Sequence, residues 1–214
     1  MSINDMPKLQ SPFKRKLNEQ NDYIVYNEIQ EGYEWVFEDS SVRAIEKLHG
    51  TDVSIVIKNG YPDSIWNRTA RIPFFNKGKR FIVEGVLESY ERGYCELEDG
   101  QWFGELIGPR VNGNPYKLDC WLWIPFKTYC WNKLFYKSWG KYPKTYESIS
   151  EWFKTLMPLF YMRQHNGEQG FVEGIVFTHP DGRMAKLRCD MFDWFTGRRS
   201  HEEVIEPEKT GDDV

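Results

Sequence analysis

Apolar and polar positions alternate most regularly at residues 53–58, where Val53, Ile55 and Ile57 are interleaved with Ser54, Val56 and Lys58. A period of two is the repeat of a strand. Asn59-Gly60 follows at once, the strongest short hairpin signal. Apolar runs predict further strands at residues 23–26, 81–87, 94–97, 102–107, 121–126, 171–177 and 183–188. Turns are predicted at Gly32, at Glu98-Asp99-Gly100 and at His179-Pro180-Asp181-Gly182. Ile149, Trp152, Phe153 and Leu156 form one helical face; Ser148-Ile149-Ser150-Glu151 reads as its capping box and Pro158 as its end. Residues 109–118 read as loop. Residues 1–20 read as a loosely held arm whose Lys14-Arg15-Lys16 is either solvated or touches phosphates; residues 197–214 read as a polar, mostly acidic tail.

At 214 residues the chain has room for one domain with a sizeable core, or one domain and a small appendage. A net charge of −4 argues against a basic coat but leaves room for local basic patches. Cys95, Cys120, Cys130 and Cys189 form no C-x-x-C, which disfavours a zinc site and suits a reducing compartment. With no signal peptide and no membrane-spanning run read from the sequence, the cytoplasm is the expected location and no membrane is expected as a partner.

Chemistry concentrates just before the alternating strand, in Lys47-Leu48-His49-Gly50. A lysine amine can attack the α-phosphate of a nucleoside triphosphate, and a glycine three residues on would let the backbone approach that nucleotide. Arg68 and Arg71 carry forks suited to phosphate and ribose oxygens. Glu105 stands in an apolar strand between Gly104 and Gly108, either as a salt-bridge partner or as a ligand for a ribose hydroxyl or a metal. Trp121 and Trp123 share a strand face and are either core or a base-stacking surface. Lys186 and Arg188 share another face, opposite a strand bearing Glu173, so that they could clamp phosphates while the carboxylate holds a metal, or form a cross-strand salt bridge. From 121 to 146 rings alternate with Lys127, Lys133 and Lys137 without an acidic residue, which suits RNA, although core rings with snorkelling lysines give the same pattern.

In this order the fragments resemble the covalent nucleotidyltransferases, the superfamily of ATP-dependent ligases and capping enzymes. Within it they are most similar to phage-type RNA ligases of the class that seals nicks in duplex RNA. E-K-L-H-G-T-D at 46–52 resembles the nucleophile motif, and His49 is the detail that favours RNA ligases. N-R-T at 67–69, F-G-E-L-I-G-P at 103–109, E-G-I-V-F at 173–177 and A-K-L-R at 185–188 resemble the later motifs. The departures are Asp52, where asparagine is common, and Arg188 in place of a second lysine. Nothing after Arg188 resembles the added C-terminal domain many such ligases use to engage RNA.

The resemblance implies an α+β fold: an adenylyltransferase domain, ATP-grasp-like, of twisted antiparallel sheets with flanking helices. It implies a lead-in at 1–40, a nucleotidyltransferase domain at 41–195, and a tail at 196–214 with no accessory domain. Lys47 would be the nucleophile, carrying AMP from ATP to a 5′-phosphate of RNA, which a 3′-hydroxyl then attacks. Glu46, His49, Gly50, Arg68, Glu105, Trp121, Trp123, Lys186 and Arg188 would bind the nucleotide. Glu173 would hold Mg²⁺ or Mn²⁺. The expected partners are ATP, RNA ends and a protein replacing the missing domain. The rival readings are a capping-type guanylyltransferase, a catalytically impaired RNA-end-binding protein, and a DNA ligase.

Overall fold

The computed structural model describes residues 3–165 and 170–199. Ten strands form three antiparallel sheets among the described residues, with helices packed outside them: an α+β architecture. The hairpin β1 (Phe13–Leu17) and β2 (Tyr23–Ile29) comes first, and the short helix α1 (Trp35–Glu38) follows. The next strand, β3 (Arg43–Lys47), joins the distant hairpin β9 (Gly174–Thr178) and β10 (Met184–Arg188) in the order β10-β9-β3. The larger sheet has five strands: β4 (Thr51–Lys58), β5 (Tyr61–Asn67), β6 (Ala70–Ile72), β7 (Gly100–Ile107) and β8 (Leu122–Pro125). Their order is β6-β5-β4-β7-β8.

Lys47 and the alternating strand that follows it therefore belong to two different sheets. β3 ends at Lys47 and β4 begins at Thr51, so Leu48-His49-Gly50 is the link between them. β3 is also not a free edge. Glu46 N–H donates to Leu134 O at 2.8 Å and Tyr136 N–H to Ala44 O at 2.9 Å. The hairpin after β4 follows the sequence signal, with Asn59 and Gly60 at φ +53° and +76°, and Asp99 accepting from both of their N–H groups.

Residues expected as a strand at 81–87 are instead helical, in α2 (Arg80–Glu91). Ile82, Gly85, Val86 and Ser89 recur at three and four residues and are buried, so the local apolar run concealed a helical period. Gly85 is where the helix meets the sheet: a Cβ there would lie 2.5 Å from Leu106 Cδ1. The 94–97 strand is absent; that segment is irregular.

After β8 a π-helical turn, Phe126–Cys130, leads into α3 (Trp131–Lys133). Two helices follow, α4 (Tyr146–Lys154) and α5 (Leu159–Gln164). The cap of α4 is Thr145, whose hydroxyl accepts from Ser148 N–H, and not the expected Ser148. Ile149, Trp152 and Phe153 do form its buried face.

The N-terminal arm is held, not loose. Phe13 is in the core beside Val25, Ala44 and Phe177. Lys14 pairs with Glu28, and Gln10 O accepts from Lys186 N–H at 2.8 Å, alongside β10. At the other end, Arg199 donates to backbone carbonyls of Asp190, Phe192, Asp193 and Phe195, so the part of the expected tail at 197–199 is pinned. The rest of that tail lies outside the described residues.

Candidate active site

Strand register brings the basic residues together. Across the three-stranded sheet Lys47 stands opposite Gly174, and Gly174 opposite Arg188. Ile45, Val176 and Lys186 form the next row of the same face. Directly opposed residues point to the same side of a sheet and alternate along each strand. Lys47, Lys186 and Arg188 therefore share one face, although Lys47 is more than a hundred residues from the other two. Gly174 is needed between them, because a Cβ there would lie 2.3 Å from Leu187 O and 2.6 Å from Arg188 Cα.

Glu173, just before β9, faces the lysine. Lys47 Nζ is 2.7 Å from each of its carboxylate oxygens, and His49 Nδ1 is 3.2 Å from Oε2. Burial pushes the Glu173 carboxyl up, but the His49 hydrogen bond and the charge and hydrogen bond of Lys47 outweigh it, so its pKa falls below the usual value. Arg188 Nε donates to Asp190 Oδ1 at 2.8 Å. The His49 ring lies 5.3 Å from that of the half-exposed Phe171.

The five-stranded sheet contributes carboxyl groups. Asp52 and Glu105 are directly opposed on β4 and β7. Desolvation pushes Glu105 up to about 8, with Lys47 opposing and Glu173 and Asp52 adding to the shift. Desolvation likewise raises Asp52 to about 6, with Asp5 adding and Arg68 opposing. These mutual influences bring Lys47, Glu173, Glu105, Asp52 and Arg68 into one electrostatic neighbourhood. Arg68, at φ +55° in the β5–β6 turn, is exposed and its Nε lies 3.2 Å from Asp5 Oδ2.

Backbone contacts fix the link between the sheets. Tyr116 Oη accepts from His49 N–H at 2.7 Å, Glu105 Oε1 accepts from Gly50 N–H at 2.9 Å, and Asn112 Nδ2 donates to Gly50 O at 2.7 Å. Neither Tyr116 nor Asn112 had a signal in the sequence beyond lying in the 109–118 loop.

Several expected roles change. Glu46 points to the other face of β3, only 2% exposed, where Oε2 accepts from Phe160 N–H at 2.8 Å and Oε1 has no partner. Desolvation pushes its carboxyl up to about 8. It supports α5 and does not enter the cleft. Gly50 leaves room for β7, not for a nucleotide: a Cβ would lie 2.2 Å from Leu106 O. Gly104 and Gly108 are filled likewise by Trp123 and by the backbone at Cys120. Trp123 is fully buried and its indole donates to Val53 O at 2.9 Å, so it cannot stack on a base. Trp121 is half-buried against Phe81, its indole donating to Pro109 O. Lys127, Lys133 and Lys137 are exposed, but the rings among them, Tyr129, Trp131, Phe135 and Tyr136, pack into the cores.

A divalent ion fits the donor set. No group of three His, Cys, Asp or Glu residues suited to a metal occurs among the described residues. Mg²⁺ usually takes one or two carboxylates and completes its shell with water and phosphate oxygens. Glu173, whose oxygens hold Lys47 and His49 in this structure, would be such a carboxylate.

No family model matches the chain, and no curated protein matches it. Solved structures do. It is similar to a Naegleria gruberi RNA ligase variant with ATP and Mn, at a TM-score of 0.48 and 14% identity over 84% of this chain and 59% of that one. It is also similar to the Naegleria gruberi RNA ligase with PPi, at a TM-score of 0.45 and 16% identity over 73% of this chain and 52% of that one. The chain thus spans between half and three fifths of the length of these proteins. No helix among the described residues is long and apolar enough to cross a membrane.

Proposed function

We propose that this protein is an ATP-dependent RNA ligase that works through a lysyl–AMP intermediate. One observation carries the reading: residues remote in sequence put the Lys47 amine beside Glu173, on a sheet face shared with Lys186 and Arg188. A face with three cations is suited to a triphosphate, and Lys47 is the one of them whose amine meets Glu173.

In the first step the Lys47 Nζ lone pair forms a bond to the α-phosphorus, and the bond from that phosphorus to the pyrophosphate oxygen breaks. The ammonium first loses one proton to solvent to expose that lone pair, and the nitrogen loses a second to solvent as the phosphoramidate forms, keeping one N–H. Glu173 orients Nζ from 2.7 Å. Lys186 and Arg188 would neutralise charge on the phosphates, the part of phosphoryl transfer that proteins chiefly supply. Glu105, carrying a proton at neutral pH, can both donate to and accept from a ribose hydroxyl. Arg68 would reach the nucleotide once released from Asp5. A bound Mg²⁺ or Mn²⁺ at Glu173 would polarise the phosphate oxygens. The AMP would then pass to an RNA 5′-phosphate, and a 3′-hydroxyl would displace it.

The test is incubation with α-labelled ATP and Mg²⁺, followed by a denaturing gel. Wild type should form a labelled adduct that Lys47→Ala does not. An adduct with GTP and not ATP would favour a guanylyltransferase. Absence of any adduct in wild type would overturn the reading in favour of a non-catalytic RNA-end-binding protein. Sealing of nicked DNA in preference to nicked RNA would identify a DNA ligase.

A further inference from the structure

The aromatic and basic residues suited to a polynucleotide lie elsewhere than residues 121–146. Between residues 64 and 83 the chain has no acidic residue and carries Arg68, Arg71, Lys77, Lys79 and Arg80. All five are exposed, as is every residue from 73 to 80. Phe75, in the middle of that run, is 99% exposed, and its neighbour Phe74 is 41% exposed. Two adjacent phenyl rings exposed among five cations make a patch that offers both ring faces and positive charge.

Local structure holds this segment out. β6 ends at Ile72, which is buried. Pro73 and a turn at Asn76, whose side chain accepts from Gly78 N–H at 2.9 Å, carry the chain to α2. Lys77 and Lys79 form no ion pair among the described residues, whereas Arg80 pairs with Glu84 one helical turn on. Lys77, Gly78 and Arg80 of the segment, with Phe81 and Glu84 of α2, line a groove that Arg110, Asn112 and Thr51 also line, and Phe75 stands beside it in sequence. Asn112 is the residue that holds the Gly50 carbonyl. Through Thr51 and Asn112 the groove borders the Leu48-His49-Gly50 link that follows Lys47.

We infer that residues 68–80, with Phe75 as a stacking platform, form a docking surface for single-stranded RNA leading to the Lys47 loop. Charge complementarity selects a polyanion, and the bare ring selects one whose bases are unstacked. A regular duplex would offer phosphates but no base face. The inference deepens the ligase reading and rests on it for the choice of RNA as the strand delivered. Binding itself is measured without ATP or metal, so the two fail separately.

The experiment is fluorescence anisotropy of a labelled, unstructured RNA across a salt series, using the whole chain. Wild type should bind with a strong salt dependence. Lys77→Gln/Lys79→Gln should weaken binding and flatten the slope of log K against log salt by about 1.4, or 0.7 for each lost phosphate contact. Phe75→Ala should weaken binding about tenfold with the salt slope unchanged. These positions are exposed, so thermal unfolding should match wild type. Lys127→Gln/Lys133→Gln/Lys137→Gln should bind as wild type. The inference is overturned if wild type does not bind, if the Lys77/Lys79 pair is neutral, or if the 127/133/137 triple carries the loss. It is also overturned if Phe75→Ala leaves RNA affinity intact, since the ring would then serve a protein partner.

Discussion

The two walls of the cleft treat charge in opposite ways. The three-stranded sheet presents cations, and carboxylates answer two of them: Glu173 for Lys47 and Asp190 for Arg188. The five-stranded sheet presents Asp52 and Glu105, which have been moved out of water without a matching cation, and their carboxyl groups rise to about 6 and about 8. Paired charges stay charged, whereas buried unpaired ones take up protons. On the proposed reading the first wall would meet phosphates, and Glu105 of the second would meet a neutral group such as a sugar hydroxyl.

The most drastic way to break this division is Lys47→Ala, which removes the proposed nucleophile and should abolish the labelled adduct. Gly174→Ala should come next. Its Cβ would strike the β10 backbone at 2.3 Å, in a row that cannot widen without parting Lys47 from Arg188. A loss of more than about 2 kcal/mol in denaturant unfolding is expected, together with loss of the adduct.

The reverse side of the first wall sharpens the comparison. Glu46 is a buried carboxyl with a folded value of about 8, raised from the 4.5 of an exposed glutamate. Between those limits the folded state binds the proton and the unfolded state does not. Stability should therefore fall as pH rises from 4.5 towards 8, by at most about 1.4 kcal/mol per pH unit for this group. Glu46→Gln should flatten that slope in urea titrations at several pH values. An unchanged slope would mean that the group is ionised in the fold.

A smaller effect should come from the second wall's support. Tyr116→Phe removes the acceptor of His49 N–H while keeping the ring, at a cost of about 1 kcal/mol. Adduct formation should slow roughly fivefold with the apparent affinity for ATP little changed. A change in affinity alone would move Tyr116 from positioning the lysine loop to shaping the nucleotide pocket.

Rings and lysines show how far sequence reading reaches. Trp123 and Phe75 are both aromatic residues near basic ones, yet one is fully buried and the other almost wholly exposed. The alternation in β8 pointed Trp123 to one face, but nothing in that run said that Gly104 on β7 would open a space for its indole. The apolar residues at 81–87 were equally ambiguous, since a short run fits a strand as well as a helix, and the packing of α2 across β7 and β8 decided it.

The sequence alone determined what is local: the alternation of β4, the Asn59-Gly60 turn, the spacing of Lys47 from Gly50, and the common face of Lys186 and Arg188. These follow from backbone periods that need no distant partner. Tertiary structure decided which faces meet and which are covered. Lys47 joins Arg188 only through hydrogen bonds on both sides of Gly174, and Glu46, its neighbour, turns away for the same reason. Pairing across more than a hundred residues has no local period to announce it, and burial depends on whatever element packs on top.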